Sequence, residues 1–347
     1  MRIFLKIALG FSFLFSSFAF INSANALDIV FAEDRPDLRT LDPRITQSRH
    51  EEMLIVNMFD QLISADSSGN IYPGLATSWD ISSDGLEYTF SLRDDVTFHD
   101  GTKFDAAAVK ATFDSIVDPE TGSQGAVDIL GPYKETIVVD DFTAKVVFER
   151  RYGSAITAFT ETELSIVSPA ALDKLGNEGF GMAPVGTGPF MFKNWEANKK
   201  VELVRNPDYN WAPEYMDGSG PSQVANLTYR LIKDTSTRVA ALEAGEIDIA
   251  ELVPPLDMRR FDSSGDLSTV TGTVSGLPYS AFLNTTTGVF QDVNVRKAFF
   301  HSLDRVKMTS DLFFGYAEAA FGPISSSTPS YWSCLLYTSD AADEITG

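Results

Sequence analysis

The chain has 347 residues and a formal net charge of −21, because it carries 48 acidic residues against 27 lysines and arginines. A surface so acidic keeps a protein soluble and repels nucleic-acid backbones, so the composition excludes nucleic acid as a partner. The length allows about two domains with sizeable hydrophobic cores.

The first 26 residues have the pattern of a secretory signal peptide. Arg2 and Lys6 flank the start of an apolar run, residues 7–21, and Ala24-Asn25-Ala26 supplies an Ala-x-Ala cleavage site. The run is shorter than the roughly 20 residues of a membrane-spanning helix, and no basic cluster follows it. No cysteine stands just after the run, which argues against a lipoprotein anchor. We therefore expect cleavage after Ala26 and a mature chain that is free in the periplasm.

The mature chain opens with a predicted strand over residues 27–32, and a polar loop follows over residues 33–44. Glu33, Asp34 and Arg35 come directly after the strand, so charges of both signs stand at its end. A helical pattern of apolar residues then extends from Met53 to Leu62.

Residues 74–113 combine a strand, a turn and a helix. After the turn at Asp84-Gly85, apolar and polar residues alternate with the period of a half-buried strand, and the apolar set is Leu86, Tyr88, Phe90 and Leu92. Asp105 is the predicted N-cap of a helix whose apolar face carries Val109, Phe113 and Ile116.

Two hairpins are predicted further along. The first joins residues 136–139 to residues 145–148, and the second joins residues 190–192 to residues 201–204. Between them, Gly186-Thr187-Gly188 could suggest a phosphate loop, but Pro189 and a strand follow where a helix should begin.

The last predicted elements alternate between helix and strand. Thr235 or Ser236 is expected to cap a helix that has Val239 and Leu242 inward, that ends at Gly245 and that precedes a buried strand over residues 247–250. Asp292 is expected to cap another helix, which carries Val295, Phe299 and Leu303 on one face.

The order of Ser78-Trp79-Asp80, Asp84-Gly85, Tyr88-Thr89-Phe90, Leu92-Arg93 and Phe98-His99-Asp100-Gly101 resembles the signature of the family 5 extracytoplasmic solute-binding proteins of ABC transporters. These proteins serve importers of dipeptides, oligopeptides and nickel. Residues 184–209, 234–250 and 279–300 resemble further parts of the same family. The resemblance implies an α/β fold, namely a two-lobed periplasmic binding protein of type II with an accessory subdomain.

The resemblance also implies a division of the chain. The first lobe begins over residues 27–48, is interrupted by the accessory subdomain over 49–155, and continues over 156–233. Residues 234–333 correspond to part of a second lobe, which is therefore expected to be incomplete. Residues 334–347 contain the only cysteine, Cys334, and resemble a translated sequencing adapter, so neither disulfide nor thiol chemistry is predicted.

The resemblance implies a monomer that captures a small peptide or a related solute and delivers it to ABC permease subunits. A peptide brings an ammonium and a carboxylate into the cleft, and an unpaired buried ion is costly. Glu33, Asp34 and Arg35 offer partners of both signs, although each alternatively is a solvated loop residue. Tyr279, Phe282 and Asn284 are the second-lobe candidates that the resemblance suggests, with a core role as the alternative for the two aromatic residues. The residue that captures the ammonium in the family corresponds to a position beyond this chain.

No catalytic residue, cofactor or metal site is predicted. The histidines His50, His99 and His301 are far apart in sequence, and His99 is expected to make a structural hydrogen bond. Nickel-type members resemble this chain, yet they use arginine and tryptophan where residues 121–130 have neither. A nickel chelate or another organic solute therefore remains the alternative ligand, and a secreted hydrolase or a signalling receptor the alternative class.

Overall fold

The computed structural model describes residues 27–35, 38–216, 218, 220–265, 267–328 and 331–332. The signal peptide predicted for residues 1–26 and the tail of residues 334–347 lie outside these residues. The strands within them are β1 (Leu27–Glu33), β2 (Ile63–Ala65), β3 (Ile71–Pro73), β4 (Ala76–Ile81), β5 (Glu87–Leu92), β6 (Tyr133–Asp140), β7 (Thr143–Phe148), β8 (Phe190–Glu196), β9 (Lys200–Arg205), β10 (Val224–Leu231) and β11 (Ile249–Ala250).

The helices of the same described residues are α1 (Arg49–Ile55), α2 (Ala106–Val117), α3 (Gly125–Leu130), α4 (Ala155–Ala158), α5 (Pro169–Met182), α6 (Thr235–Glu243), α7 (Pro255–Ser264), α8 (Val293–His301) and α9 (Arg305–Phe313). Single turns of 3₁₀-helix occur at Pro119–Thr121, Thr162–Leu164 and Val289–Gln291. None of the described helices combines the length and the apolar character that crossing a membrane requires.

β1 lies inside a five-stranded sheet of order β11-β1-β10-β9-β8. It runs parallel to both of its neighbours, whereas β10, β9 and β8 pair antiparallel. One hydrophobic core of this sheet includes Leu54 and Met58, and a smaller cluster joins Ala32 to Ala241 and Ile247. Ligands of open α/β sheets bind beyond the carboxyl ends of the strands, so the end of β1 is the place to look for a site.

A separate four-stranded antiparallel sheet of order β4-β5-β7-β6 packs against α2 and α3. The predicted strand pattern is confirmed, because Tyr88, Phe90 and Leu92 of β5 are buried. The predicted cap of α2 is confirmed as well: the side chain of Asp105 accepts a hydrogen bond from the amide of Ala108 at 2.9 Å. The first predicted hairpin corresponds to β6 and β7, and the second to β8 and β9.

Three local predictions are wrong in detail. The helix expected from Met53 to Leu62 ends at Ile55, because the carbonyls of Asn57 and Met58 instead accept hydrogen bonds from Phe190 and Gly188 at 2.9 Å. The cap of α6 is Asp234, not Thr235 or Ser236, and its side chain accepts from the amide of Thr237 at 2.7 Å. The buried strand expected over residues 247–250 is reduced to β11, in which Ile249 is 45% exposed.

The region from α7 to α9 leaves much apolar surface uncovered. The predicted cap of α8 is confirmed, since the Asp292 side chain accepts from the amide of Asn294 at 2.8 Å. On the predicted apolar face, Phe299 packs against Phe290 with ring centroids 5.5 Å apart. Val295 and Leu303, however, are 37% and 36% exposed, so no element of the described chain covers this face fully.

Candidate functional site

The carboxyl ends of β1 and β11 bring two glutamates together. The parallel pairing of Ala32 with Ala250 sets the register, and the amide of Glu251 donates to the carbonyl of Ala32 at 3.0 Å. Glu33 and Glu251 are the residues that follow this pair on the two strands. The sheet itself therefore creates an acidic edge where the chain leaves both strands.

Glu33 is fully buried, and neither of its carboxylate oxygens has a hydrogen-bond partner among the described residues. Burial raises the pKa of Glu33 to about 8, the negative charge of Glu251 adds to this rise, and the guanidinium of Arg35 opposes it. A buried carboxyl group without a partner is costly, so this position favours a donor or a cation from outside the described residues.

Arg35 and His50 border the same acidic edge. Nη1 of Arg35 donates to the hydroxyl of Ser48 at 2.9 Å, while its Nε is buried without a partner in the described part of the chain. His50 lies in the first turn of α1, and its Nδ1 is likewise buried and unpaired among those residues. Burial, followed by the charge of Arg35, lowers the pKa of His50, which favours the neutral imidazole.

Glu251 is held in place by Arg238 of α6, whose side chain is only 1% exposed. The Arg238 guanidinium donates to the carbonyls of Ile232 at 2.7 Å, Glu251 at 2.8 Å and Leu252 at 3.3 Å. Burial and then the charge of Asp34 raise the pKa of Glu251. Its Oε2 is buried with no partner in the described residues, so the backbone is fixed while the carboxylate stays available.

Asp34, His50 and Glu251 converge although they come from distant parts of the sequence. One ligand atom from each lies within 4.8 Å of the other two, and all three side chains are half-buried. Together with Glu33 and Arg35, they form a site, here called the strand-end site, with three carboxyl groups, one imidazole and one guanidinium. Such a site can bind an ammonium group or a metal cation on its acidic side and a carboxylate at Arg35.

Other buried charged groups of the described chain are paired, in contrast to the strand-end site. Asp60 accepts hydrogen bonds from Thr187 at 2.7 Å, Trp211 at 3.0 Å and Tyr209 at 3.1 Å. Arg44 and Asp42, both buried, form an ion pair at 2.6 Å. These groups have a structural explanation, whereas the unpaired atoms of the strand-end site do not.

The second-lobe candidates are not brought to this site. Tyr279 is fully exposed and Phe282 is 83% exposed, so the core role considered for them is wrong in this structure. The Asn284 side chain accepts from the amide of Thr286 at 2.9 Å, which is a local turn contact. Their proposed role in binding ligand stays a prediction.

Sequence reasoning missed His50 and Glu251. His50 was set aside because no other histidine stands at ligand spacing, but its neighbours in space are carboxylates. A usable signal existed for Glu251, which directly follows a predicted strand just as Glu33 does. The carboxyl ends of parallel strands lie at the same edge of a sheet. The two predicted strands, each followed by a glutamate, could therefore have indicated that Glu33 and Glu251 lie close together. No signal in the sequence places His50 beside them.

Comparison with known proteins gives concordant results. The family model of the bacterial extracellular solute-binding proteins, family 5 Middle, matches residues 70–343. The chain is 30% identical over 288 residues to the glutathione-binding protein GsiB of Pectobacterium atrosepticum, covering 83% of this chain and 54% of that protein. The chain thus spans about half the length of this curated relative.

Two solved structures share the fold. One is the periplasmic binding protein DppA of Helicobacter pylori in complex with the peptide STSA, with a TM-score of 0.71, 26% identity, and coverage of 92% of this chain and 66% of that one. The other is NikZ of Campylobacter jejuni in complex with Ni(L-His), with a TM-score of 0.69, 24% identity, and coverage of 85% and 57%. The fold is therefore that of the two-lobed periplasmic binding proteins, and the coverage fits a second lobe that this chain contains in part.

Proposed function

Because the chain belongs to the family 5 bacterial extracellular solute-binding proteins of ABC transporters, we propose that it captures a small peptide or a related solute and delivers it to a permease. Several curated relatives are named glutathione-binding proteins, and glutathione is itself a small peptide. These names support a peptide as the class of ligand. Proteins of this family are binding proteins, so no catalytic residue is assigned.

One observation carries the proposal: the strand-end site collects buried polar atoms that lack partners within the described chain. They belong to Glu33, Arg35, His50 and Glu251. A peptide complements such a set, because its ammonium pairs with carboxylates and its carboxylate pairs with a guanidinium. In this proposal Arg35 binds the carboxylate, and Glu33, Asp34 and Glu251 supply acidic groups near the ammonium in addition to the residue that captures it in the family.

Capture follows from closure of two lobes around the solute. A ligand stabilises the closed state only through contacts that it makes better there than in the open state. The proposed first wall is the strand-end site, and Tyr279, Phe282 and Asn284 are the proposed contribution of the second lobe. Their exposure in this structure leaves them free for that contact.

The domain division and the location belong to the same proposal. β8, β9 and β10 complete the sheet of β1, which supports assigning residues 156–233 to the first lobe, and the four-stranded sheet falls within the proposed accessory subdomain, residues 49–155. The signal peptide of residues 1–26 would deliver the protein to the periplasm, where we expect it to act as a monomer.

The experiment compares peptides that differ only at one end. Full-length protein is titrated calorimetrically with glutathione, with dipeptides and with the same dipeptides carrying a C-terminal amide. Arg35→Ala should weaken binding of the free-carboxylate dipeptide at least about tenfold and should affect the amide far less. Arg150→Ala, which removes an exposed arginine, is the matched control. If Arg35→Ala weakened both forms equally, the role of Arg35 would be wrong. If wild type bound no peptide, the proposal that the ligand is a peptide would be wrong.

A further inference from the structure

The convergence of Asp34, His50 and Glu251 has a chemistry of its own. The three side chains come from the loop after β1, the first turn of α1 and the loop after β11, and their ligand atoms lie within 4.8 Å of one another. Ligand atoms about 2.1 Å from a tetrahedral metal ion lie about 3.4 Å apart. Small side-chain rotations would therefore bring all three atoms onto one ion.

The types of donor select the kind of cation. One imidazole nitrogen and two carboxylates suit Zn²⁺ and its neighbours in the first transition series better than Ca²⁺ or Mg²⁺, which bind oxygen alone. A cation of this kind is also consistent with Nδ1 of His50, which has no hydrogen-bond partner among the described residues although two carboxyl groups lie nearby.

Unpaired atoms give independent support for a cation. Nδ1 of His50 and Oε2 of Glu251 are buried without hydrogen-bond partners among the described residues, and both oxygens of the fully buried Glu33 are unpaired as well. The one guanidinium at the site, Arg35, donates to Ser48. The unpaired atoms of the site thus include carboxylate oxygens and an imidazole nitrogen, which are the donor types that a divalent transition-metal ion binds.

We propose that Asp34, His50 and Glu251 bind a divalent transition-metal ion at the strand-end site. Three protein ligands leave at least one coordination position open, as in zinc sites that bind a water or a substrate. A carboxylate oxygen of the captured solute can take that position, with the ion instead of the ammonium then paired with Asp34 and Glu251, a step that rests on the proposed function. Binding of the metal itself does not rest on it.

The test uses tag-free, full-length protein freed of metal by chelation and titrated with Zn²⁺ alone and with Co²⁺ alone. We expect one equivalent to bind, with visible ligand-field bands for Co²⁺ that are typical of a nitrogen-containing site. His50→Ala and Glu251→Gln should each raise the Kd at least about tenfold. His301→Ala, which removes an exposed histidine elsewhere, should leave the Kd unchanged. Circular dichroism spectra and melting temperatures, measured in the presence of chelator, show which variants are folded, and only those are compared.

The two proposals fail in different ways. If folded His50→Ala and Glu251→Gln bind Zn²⁺ as wild type does, or if wild type binds none, the metal site is wrong, and peptide binding measured in chelator still tests the proposed function. If Zn²⁺ binds and both variants weaken it while no peptide binds, the metal site stands and the peptide class is wrong.

Discussion

Replacing His99 by glutamine removes a histidine that its surroundings keep neutral. Nε2 of His99 lies 2.9 Å from the carbonyl oxygen of Gly188, so the neutral ring donates a hydrogen bond there, as the expected structural role requires. Its Nδ1 is buried without a partner in the described residues. Burial lowers the pKa of His99 from 6.5 to about 4, and the bond to Gly188 and the charge of Asp100 oppose this only in part.

The sign of the pH dependence follows from this lowered pKa. As the pH falls, the unfolded chain takes up the proton of His99 before the folded protein does. The stability associated with neutral His99 is therefore complete above about pH 6.5 and is lost as the pH falls to about 4. At about 1.4 kcal/mol for each pKa unit, the lowering from 6.5 to about 4 corresponds to a loss of about 3 kcal/mol.

Urea denaturation of wild type and His99→Gln at pH 7 and pH 4 measures this loss. The glutamine amide can still donate to Gly188 but does not titrate, and carboxyl groups that titrate in this interval act on both proteins and cancel. Wild type should lose about 3 kcal/mol more than the variant between the two pH values. His301→Gln, at an exposed position, should behave as wild type. An equal loss for wild type and His99→Gln would refute the claim that burial keeps His99 neutral.

Three further predictions concern other parts of the chain. Phe90→Ala should lower the free energy of unfolding by about 3 to 5 kcal/mol without changing ligand affinity, since Phe90 is fully buried and packs edge-on against Phe159 with ring centroids 5.0 Å apart. Ile81→Ala, at an exposed position of β4, is its control, and an unchanged melting temperature in Phe90→Ala would count against a structural role. Arg238→Lys should cost about 3 kcal/mol in urea denaturation, because one ammonium cannot reach three carbonyls, and a stability equal to wild type would contradict this. A chain that carries a complete second lobe should gain melting temperature with its solute where the 347-residue chain does not. Equal stabilisation of both chains would overturn that.

Local signals in the sequence predicted much of the fold. The alternation around Phe90 and the cap at Asp105 depend on neighbours within a few residues, and both are confirmed. The end of α1 was missed because it depends on hydrogen bonds from Gly188 and Phe190, more than a hundred residues away. Rules of helix formation that consider only neighbouring residues cannot predict such a contact.

The strand-end site was predicted on one side only, for the same physical reason. Glu33, Asp34 and Arg35 follow a strand that the sequence shows clearly. The position of Glu251 beside them depends on the parallel pairing of β11 with β1, which is a property of the assembled sheet. The packing of α1 brings His50 to the site. It becomes a candidate ligand only because Asp34 and Glu251 lie near it in space, and Glu251 is far from it in the sequence.

The acidic edge consists of two pieces of unequal stiffness. Glu33 is the last residue of a seven-residue strand that pairs with β10 along its length, whereas Glu251 follows a strand of two residues at the margin of the sheet. Segments with so few pairings open locally at a small free-energy cost. Amide protons around β11, such as that of Glu251, should therefore exchange with deuterium sooner than those of β1. A solute or an ion that bridges the two glutamates would slow this exchange. The exchange rate of the amides around β11 would therefore report whether the strand-end site is occupied.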